Sequence, residues 1–184
     1  MNQAFDQNLA HGQLGESIIA RWCIARGNSV LPVYEKEIDT GKGPRFFTSQ
    51  GQVVAPDMFL MPAMKWVEAK HKTVCSWYRK GGYWCTGIDL NHYSGYQQVQ
   101  TISRQPVWLL FLHRSYMPDP RDIQHGCPPR CPVGLYGGSL AHLVRHESHR
   151  HENWGRYGMV YWDIETLTRF ATLEEIETQI GVAA

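Results

Sequence analysis

The 184-residue sequence lacks any apolar run long enough to cross a bilayer, and its N-terminus lacks the apolar core of a signal peptide. We therefore expect a cytoplasmic protein with no membrane partner. Its five cysteines are an odd number, which in a reducing compartment argues against disulfides. The length and a hydrophobic fraction of 43% predict one globular domain with a substantial core, and no internal repeat or low-complexity tail is present.

The chain also has little excess charge of either sign. A net charge of +1 argues against a strongly basic nucleic-acid coat but allows a local basic groove, because affinity for phosphate depends on where the charge lies. Basic residues are concentrated between residues 65 and 80, and Trp and Tyr residues interleave with them from 77 to 84. Because cations meet phosphates and flat rings stack on bases, this segment is either a nucleic-acid-contacting loop or an aromatic mini-core under the Gly81-Gly82 turn.

Hydrophobic periodicity predicts an α/β domain in the order helix, three strands, helix and strand, followed by further elements. A proline-rich loop is predicted for 114–138, and the last helix has Thr172 and Glu175 at capping-box spacing. The other predicted elements are a helix over about 8–27, strands over 29–34, 52–61 and 64–72, an irregular loop over 73–88, a helix starting at Asp89, a buried strand over 106–113, a helix over 139–153 and a strand over 158–164.

Three charged residues interrupt the two strands on either side of Pro62-Ala63. If these strands form a tight hairpin centred between Pro62 and Ala63, Asp57 lies opposite Glu68 with side chains about 5 Å apart. Opposed carboxylates repel, so such a pair indicates a cation between them, and oxygen ligands suit Mg²⁺ or Mn²⁺. Lys70 shares the face of Glu68, where an ammonium can orient a water or stabilise charge on a phosphate. The alternative is the solvated face of an ordinary alternating strand.

Pro56-Asp57, ten intervening residues and Glu68-Ala69-Lys70 resemble the PD-(D/E)xK nuclease motif. The predicted order of elements is similar to the restriction-endonuclease-like αβββαβ core of that superfamily, in which helices flank a mixed central sheet. The first helix and strand are similar to those of Holliday-junction-resolvase-like members. The resemblance covers about 8–113 of a single domain, 1–184, and leaves 114–184 as a loop-rich C-terminal extension.

The resemblance implies a divalent-metal-dependent nuclease that hydrolyses phosphodiester bonds in DNA, with an endonuclease favoured over an exonuclease. It implies that Asp57, Glu68 and the Ala69 carbonyl bind Mg²⁺ or Mn²⁺ and that Lys70 positions the attacking water. Glu16, on the first helix, would reach the metal directly or through water, or would be a solvated helix residue. A homodimer is compatible with the resemblance, because small nucleases of this class often dimerise to cut two strands.

The expected DNA contacts are basic residues beyond the motif and residues of the second helix, where some members of the superfamily place a Gln or Tyr near the phosphate. These residues are Lys72, Arg79, Lys80, Tyr93, Tyr96 and Gln97. The alternative for both tyrosines is a place in the core or at its rim.

Cysteines and histidines after residue 113 have the ligand types of a structural Zn²⁺ site. The candidate ligands are Cys127, Cys131, His142 and His146, with Cys75 and Cys85 as substitutes. Free or buried thiols and solvated histidines are the alternative. A zinc-stabilised segment would suit a second interpretation, a non-catalytic nucleic-acid-binding protein, and an accessory protein with a decayed nuclease fold is a third.

Overall fold

The computed structural model describes residues 3–33, 44–49 and 51–181. The helices in this part of the chain are α1 (Gln3–Ala25), α2 (Leu90–Ser103), α3 (Pro120–Ile123), α4 (Leu140–Arg145) and α5 (Leu173–Ile180). The strands are β1 (Ser29–Pro32), β2 (Arg45–Thr48), β3 (Gly51–Val54), β4 (Met58–Met61), β5 (Lys65–Lys72), β6 (Ser76–Tyr78), β7 (Tyr83–Asp89), β8 (Val107–His113), β9 (Gly134–Ser139), β10 (His149–His151), β11 (Met159–Asp163) and β12 (Thr168–Ala171).

A six-stranded mixed sheet with the order β1-β4-β5-β8-β9-β12 forms the centre of the fold. Strands β5 and β8 are parallel, and the other neighbours are antiparallel. Apolar residues of α1 and α5 pack on one face, and those of α2 and α4 pack on the other. The elements α1, β1, β4, β5, α2 and β8 follow the expected αβββαβ order, which confirms the predicted class of a mixed sheet flanked by helices.

The stretch 73–88 is a β-hairpin, not the predicted irregular loop. Strands β6 and β7 pair within a second, four-stranded sheet with the order β10-β11-β7-β6. Two aromatic pairs face each other across this hairpin: Trp77 with Trp84 at 5.1 Å, and Tyr78 with Tyr83 at 5.2 Å between ring centroids. Cross-strand aromatic pairs stabilise a hairpin more than the glycine content of this stretch suggests, which explains the error.

The segment after residue 113 contributes to both sheets. It is loop-rich as far as residue 133, but the end of the predicted loop is strand β9, which pairs with the apolar strand β8. The helix predicted over 139–153 ends at Arg145, because residues 149–151 pair with β11 instead. The strand predicted over 52–61 is likewise divided at Ala55-Pro56 between β3 and β4. In each case pairing with another strand overrides local sequence preference.

Three sequence-predicted boundaries are confirmed. The first helix ends at Ala25 and is followed by Gly27 at a φ of 82°, while Asp89 caps α2 by accepting a hydrogen bond from the Asn91 N–H. Thr172 and Glu175 form both hydrogen bonds of the capping box at the start of α5. Among the described residues, no helix is long and apolar enough to cross a membrane.

Candidate active site

Strands β4 and β5 form the hairpin on which the charged residues lie. The observed cross-strand partners, Met58 with Val67 and Leu60 with Lys65, are those expected for a hairpin centred between Pro62 and Ala63. Asp57 directly precedes β4, so the same register places it opposite Glu68. The predicted register is therefore confirmed.

Asp57 is tied to the neighbouring strand by its side chain. Its Oδ2 accepts a hydrogen bond of 2.8 Å from the backbone N–H of Ala69. The N–H and C=O of one strand residue point to the same side of the strand, so the Ala69 carbonyl also points towards Asp57. This orientation brings the carbonyl to the side of β5 that holds the carboxylate.

Glu68 is an acidic residue within the hydrophobic layer, with 1% of its surface exposed. Its Oε1 contacts the ammonium of Lys70, which lies two residues further along the same face of β5. Its Oε2 is buried and has no hydrogen-bond partner among the described residues. A buried carboxylate oxygen without a donor is costly, so this atom marks a place where a ligand is expected.

Helix α1 brings a third carboxylate to the same point. It packs so closely on β5 that a Cβ on Gly15 would lie 2.2 Å from the Cβ of His71, and only glycine permits this approach. The next residue, Glu16, is half-buried and interacts electrostatically with both Glu68 and Lys70. The structure thus brings together the four residues predicted to be catalytic.

The carboxyl groups of Asp57, Glu68 and Glu16 repel one another. The pKa of Asp57 lies well above its ordinary value because the carboxyl is desolvated and faces Glu68, although Lys70 acts in the opposite direction. Burial and Glu68 also raise the pKa of Glu16. Burial disfavours the Lys70 ammonium, but Glu68, Asp57 and Glu16 outweigh this effect and raise the pKa of Lys70. Three carboxylates around one ammonium leave an excess of negative charge.

Two residues of α2 complete the surroundings of the carboxylates. The buried Tyr96 lies near Glu68 and Asp57, and the pKa of Tyr96 is raised well above its usual range, first by burial and then by these two carboxylates. His92, one turn earlier, has its ring centroid 6.0 Å from that of Tyr96. Burial and the charge of Lys70 lower the pKa of His92, so the imidazole is neutral at neutral pH.

The sequence analysis missed His92 and assigned Tyr96 a different role. The i,i+4 spacing of the two residues was visible and places them on one face of α2. The direction in which this face points depends on how α2 packs, and no local pattern encodes that direction.

The donors present fit a divalent cation. Among the described residues, no three His, Cys, Asp or Glu side chains are arranged as a ready metal site. Mg²⁺ usually keeps several waters and takes only one or two carboxylates from the protein, a set that Asp57 and Glu68 can provide. The orphaned Glu68 Oε2 and the repulsion between Glu68 and Asp57 are both relieved by a cation.

Comparison with known proteins gives a structural likeness but no sequence match. No family model matches the sequence, and no curated protein matches it. The structure is similar to that of a Holliday junction resolvase from the archaeal hyperthermophile Archaeoglobus fulgidus, with a TM-score of 0.48 and 8% sequence identity. The match covers 84% of this chain and 90% of the resolvase chain. A likeness at this level says nothing about activity, which must be argued from the residues.

The predicted DNA contacts divide into two sets. Lys72 is half-buried on the same face as Lys70, and burial together with the Lys70 charge lowers its pKa to about 8. Arg79 and Lys80 are exposed at the turn of the β6–β7 hairpin, where Arg79 forms an ion pair of 3.2 Å with Asp122. Arg79 and Lys80 are thus accessible to solvent, whereas Lys72 is partly enclosed.

The second set lies on α2, where the two tyrosines do not fit a DNA contact. Tyr93 and Tyr96 are 3% and 1% exposed, so both belong to the core, as the alternative interpretation expected. Tyr93 donates a hydrogen bond of 2.6 Å to Glu147, and Gln97 is half-buried beside it. The DNA contact predicted for the two tyrosines is therefore corrected to a structural place in the core for both, with Tyr96 near Glu68.

The predicted zinc ligands do not converge in the described part of the chain. The rings of His142 and His146 stack at 4.0 Å, and each is hydrogen-bonded to a backbone carbonyl. Cys131 lies near the buried Cys75, and burial raises the pKa of both thiols. The geometry fits the alternative of buried thiols and structural histidines, and it does not support a zinc site built from these four residues.

Proposed function

We propose that the protein is a divalent-metal-dependent nuclease that hydrolyses phosphodiester bonds in DNA. The observation that carries the proposal is the β4–β5 register, which sets Asp57 against Glu68 with Lys70 on the same face. Opposed carboxylates with a buried, unpartnered oxygen destabilise a sheet unless a cation lies between them. A purely structural hairpin gains nothing from this arrangement.

The metal ion, Mg²⁺ or Mn²⁺, would be held by Asp57, Glu68 and the Ala69 carbonyl, with Glu16 reaching it directly or through water. When bound, it would lower the pKa of a coordinated water and neutralise charge on the scissile phosphate. The Ala69 carbonyl supports this set because it points to the Asp57 side of β5.

Lys70 acts as a hydrogen-bond donor. Its raised pKa keeps the side chain protonated at neutral pH, so it orients a water or a phosphate oxygen and does not remove a proton itself. Glu68 holds the ammonium through Oε1, and Tyr96 approaches the same carboxylate from α2. The Lys70–Glu68 ion pair holds both side chains in position before substrate binds.

Lys72 extends the positive face of β5 away from the carboxylates. A phosphate beside it would offset the burial and the repulsion by Lys70 that lower its pKa. We assign it to binding the DNA backbone next to the cleavage point, in keeping with an endonuclease.

The test is cleavage of linear duplex, single-stranded and branched DNA with Mg²⁺, Mn²⁺ or EDTA. We expect metal-dependent cleavage by the wild type and a loss of at least about 100-fold in Asp57→Asn and Lys70→Ala. Glu177→Gln, on the exposed side of α5, serves as the matched control and should cut like the wild type. Binding without cleavage would instead favour a non-catalytic nucleic-acid-binding protein, and cleavage by both site variants at the wild-type rate would contradict the proposal.

A further inference from the structure

A cleft of about 550 Å³ lies outside the carboxylate site, between the β6–β7 hairpin, α3 and the turn after β10. Its walls are largely aromatic: Trp77 and Tyr78 come from β6, His151 from β10 and Trp154 from the turn. The volume lies within the roughly 300–1,000 Å³ range of sites that bind small organic groups.

Trp154 offers the most accessible ring of the cleft, with 60% of its surface exposed. Its contacts with His151 and Tyr161 are edge-on and tilted, at 5.0 and 6.3 Å between centroids, and they leave a face of the indole open. Trp77 packs against Trp84 across the hairpin, which fixes the part of the wall that β6 contributes. A fixed aromatic wall and an open indole face suit the stacking of a nucleobase.

Two basic side chains of the cleft are not paired with its carboxylates and can bind an anionic group. Asp122 accepts hydrogen bonds from Arg79 at 3.2 Å and from a backbone N–H of β6 at 3.4 Å. Asp119 caps α3 by accepting from the backbone N–H of Arg121 at 2.8 Å. Both carboxylates are thus engaged within the protein, whereas the side chains of Lys80 and Arg121 have no carboxylate partner in the described part of the chain. The rim therefore suits the phosphates that accompany a base.

The cleft is close to the carboxylates along the chain. Strand β5 ends at Lys72, and Val74 already lines the cleft. The Cα atoms of Lys70 and Val74 can be at most about 14 Å apart, the reach of four extended residues. That distance corresponds to roughly four stacked nucleotides.

We propose that this cleft binds an unpaired base of a single-stranded nucleic acid, stacked on Trp154, with the adjoining phosphates beside Lys80 and Arg121. A base that remains paired within a duplex cannot enter the cleft. This inference deepens the proposed function and rests on it in one respect: the same strand passes the carboxylates, so the substrate contains a single-stranded segment next to the cleavage point.

The test measures binding separately from cleavage. Fluorescence anisotropy with a labelled thymidine oligonucleotide, in EDTA and in an Asp57→Asn background, detects binding without hydrolysis. We expect the single strand to bind more tightly than a duplex of the same length or thymidine monophosphate. Trp154→Ala should weaken single-strand binding roughly tenfold, the effect of losing one base–aromatic stack, and Trp154→Phe should restore most of it. Tyr116→Ala, a similarly exposed aromatic outside the cleft, should bind like the parent.

Several results would contradict the inference. Equal binding by the parent and Trp154→Ala, or a preference for duplex, overturns it, and mononucleotide binding as tight as strand binding overturns the single-strand assignment. Cleavage of a single-stranded segment is measured in parallel, with metal and with Asp57 intact. Comparing this cleavage with the binding data separates the two proposals. Intact cleavage without Trp154-dependent binding contradicts only the cleft, whereas Trp154-dependent binding by a protein that cuts nothing contradicts only the nuclease.

Discussion

Hairpins β4–β5 and β6–β7 follow each other along the chain, and both carry several charged residues. In β4–β5 the charges are enclosed: Glu68 is 1% exposed, faces Asp57 across the hairpin and keeps one oxygen without a partner. In β6–β7 the core contacts are aromatic, while Arg79 and Lys80 lie exposed at the turn. The first hairpin thus buries a charged residue in the core, whereas the second leaves its charged residues exposed to solvent.

This difference shows which charged residues are explained by folding alone and which require a functional explanation. Exposed ion pairs such as Arg79–Asp122 contribute about 0–1 kcal/mol and fit an ordinary surface. Opposed, desolvated carboxylates lower stability, and a protein retains them where a ligand offsets their repulsion. The β4–β5 hairpin therefore supports the proposed metal site, whereas the β6–β7 hairpin needs no ligand to explain its charged residues.

The largest expected effect comes from removing one of the opposed charges. Asp57→Asn keeps an acceptor for the Ala69 N–H but relieves repulsion with Glu68, so we expect the metal-free protein to gain about 1 kcal/mol while cleavage falls at least about 100-fold. For a chain of this size, that gain raises the Tm by about 2–4 °C in EDTA.

The equivalent change beside the second hairpin is the control. Asp122→Asn weakens an ion pair with a side chain that is 45% exposed, so its Tm should stay equal or fall slightly. A fall in Tm of the same size for both variants would remove the distinction between the two hairpins.

The next effect concerns the approach of α1 to β5. Gly15→Ala places a methyl group 2.2 Å from the Cβ of His71, so the helix must move, and Glu16 moves with it. We expect a loss of about 1–3 kcal/mol in the free energy of unfolding together with reduced cleavage. Gly12→Ala in the same helix meets no atom within 4 Å and should stabilise by about 0.5–1 kcal/mol. Thermal unfolding of the two variants in parallel checks this, and equal stability of both would contradict the close packing.

A smaller effect is expected in the pH dependence of stability. Asp57 and Glu16 have raised pKa values in the folded protein, so their contribution to stability is complete below the ordinary values of 3.8 and 4.5 and is lost as the pH rises through the raised values. In EDTA, the Tm of Asp57→Asn should therefore exceed that of the wild type by an amount that grows with pH. Mg²⁺ competes with protons for the same carboxylates, so its stabilising effect should increase over the same range. A Tm difference that does not change with pH would show that the carboxylates do not interact as described.

The smallest effect belongs to the turn of the second hairpin. Gly82 has a φ of 68°, so Gly82→Ala should cost about 1 kcal/mol through backbone strain. Because this turn is separate from the carboxylates, the increase in Tm produced by Mg²⁺ should stay unchanged. A changed response to Mg²⁺ would mean that the two hairpins are coupled.

The sequence was most informative where the relevant contacts are local. Asp57, Glu68 and Lys70 lie within fourteen residues of one another on a tight hairpin, so strand alternation and the position of Pro62-Ala63 were enough to predict their register. Helix caps such as Asp89 were predictable for the same reason.

Features that depend on distant pairing were not predictable. Trp154 lines the same cleft as the aromatic residues of β6 because β10, β11 and β7 bring them together in one sheet, and no spacing in the sequence predicts this. The position of Tyr96 near Glu68 depends in the same way on how α2 packs against the central sheet. Local patterns therefore located the candidate acids but not the groups that surround them.

Binding of Mn²⁺ to the purified protein, followed by titration calorimetry, tests the central claim most directly. The account predicts a single site in the wild type, weakened at least about tenfold in Asp57→Asn and unchanged in Glu177→Gln. Absence of Mn²⁺ binding, or equal affinity in the wild type and Asp57→Asn, would contradict the assignment of the opposed carboxylates as a metal site.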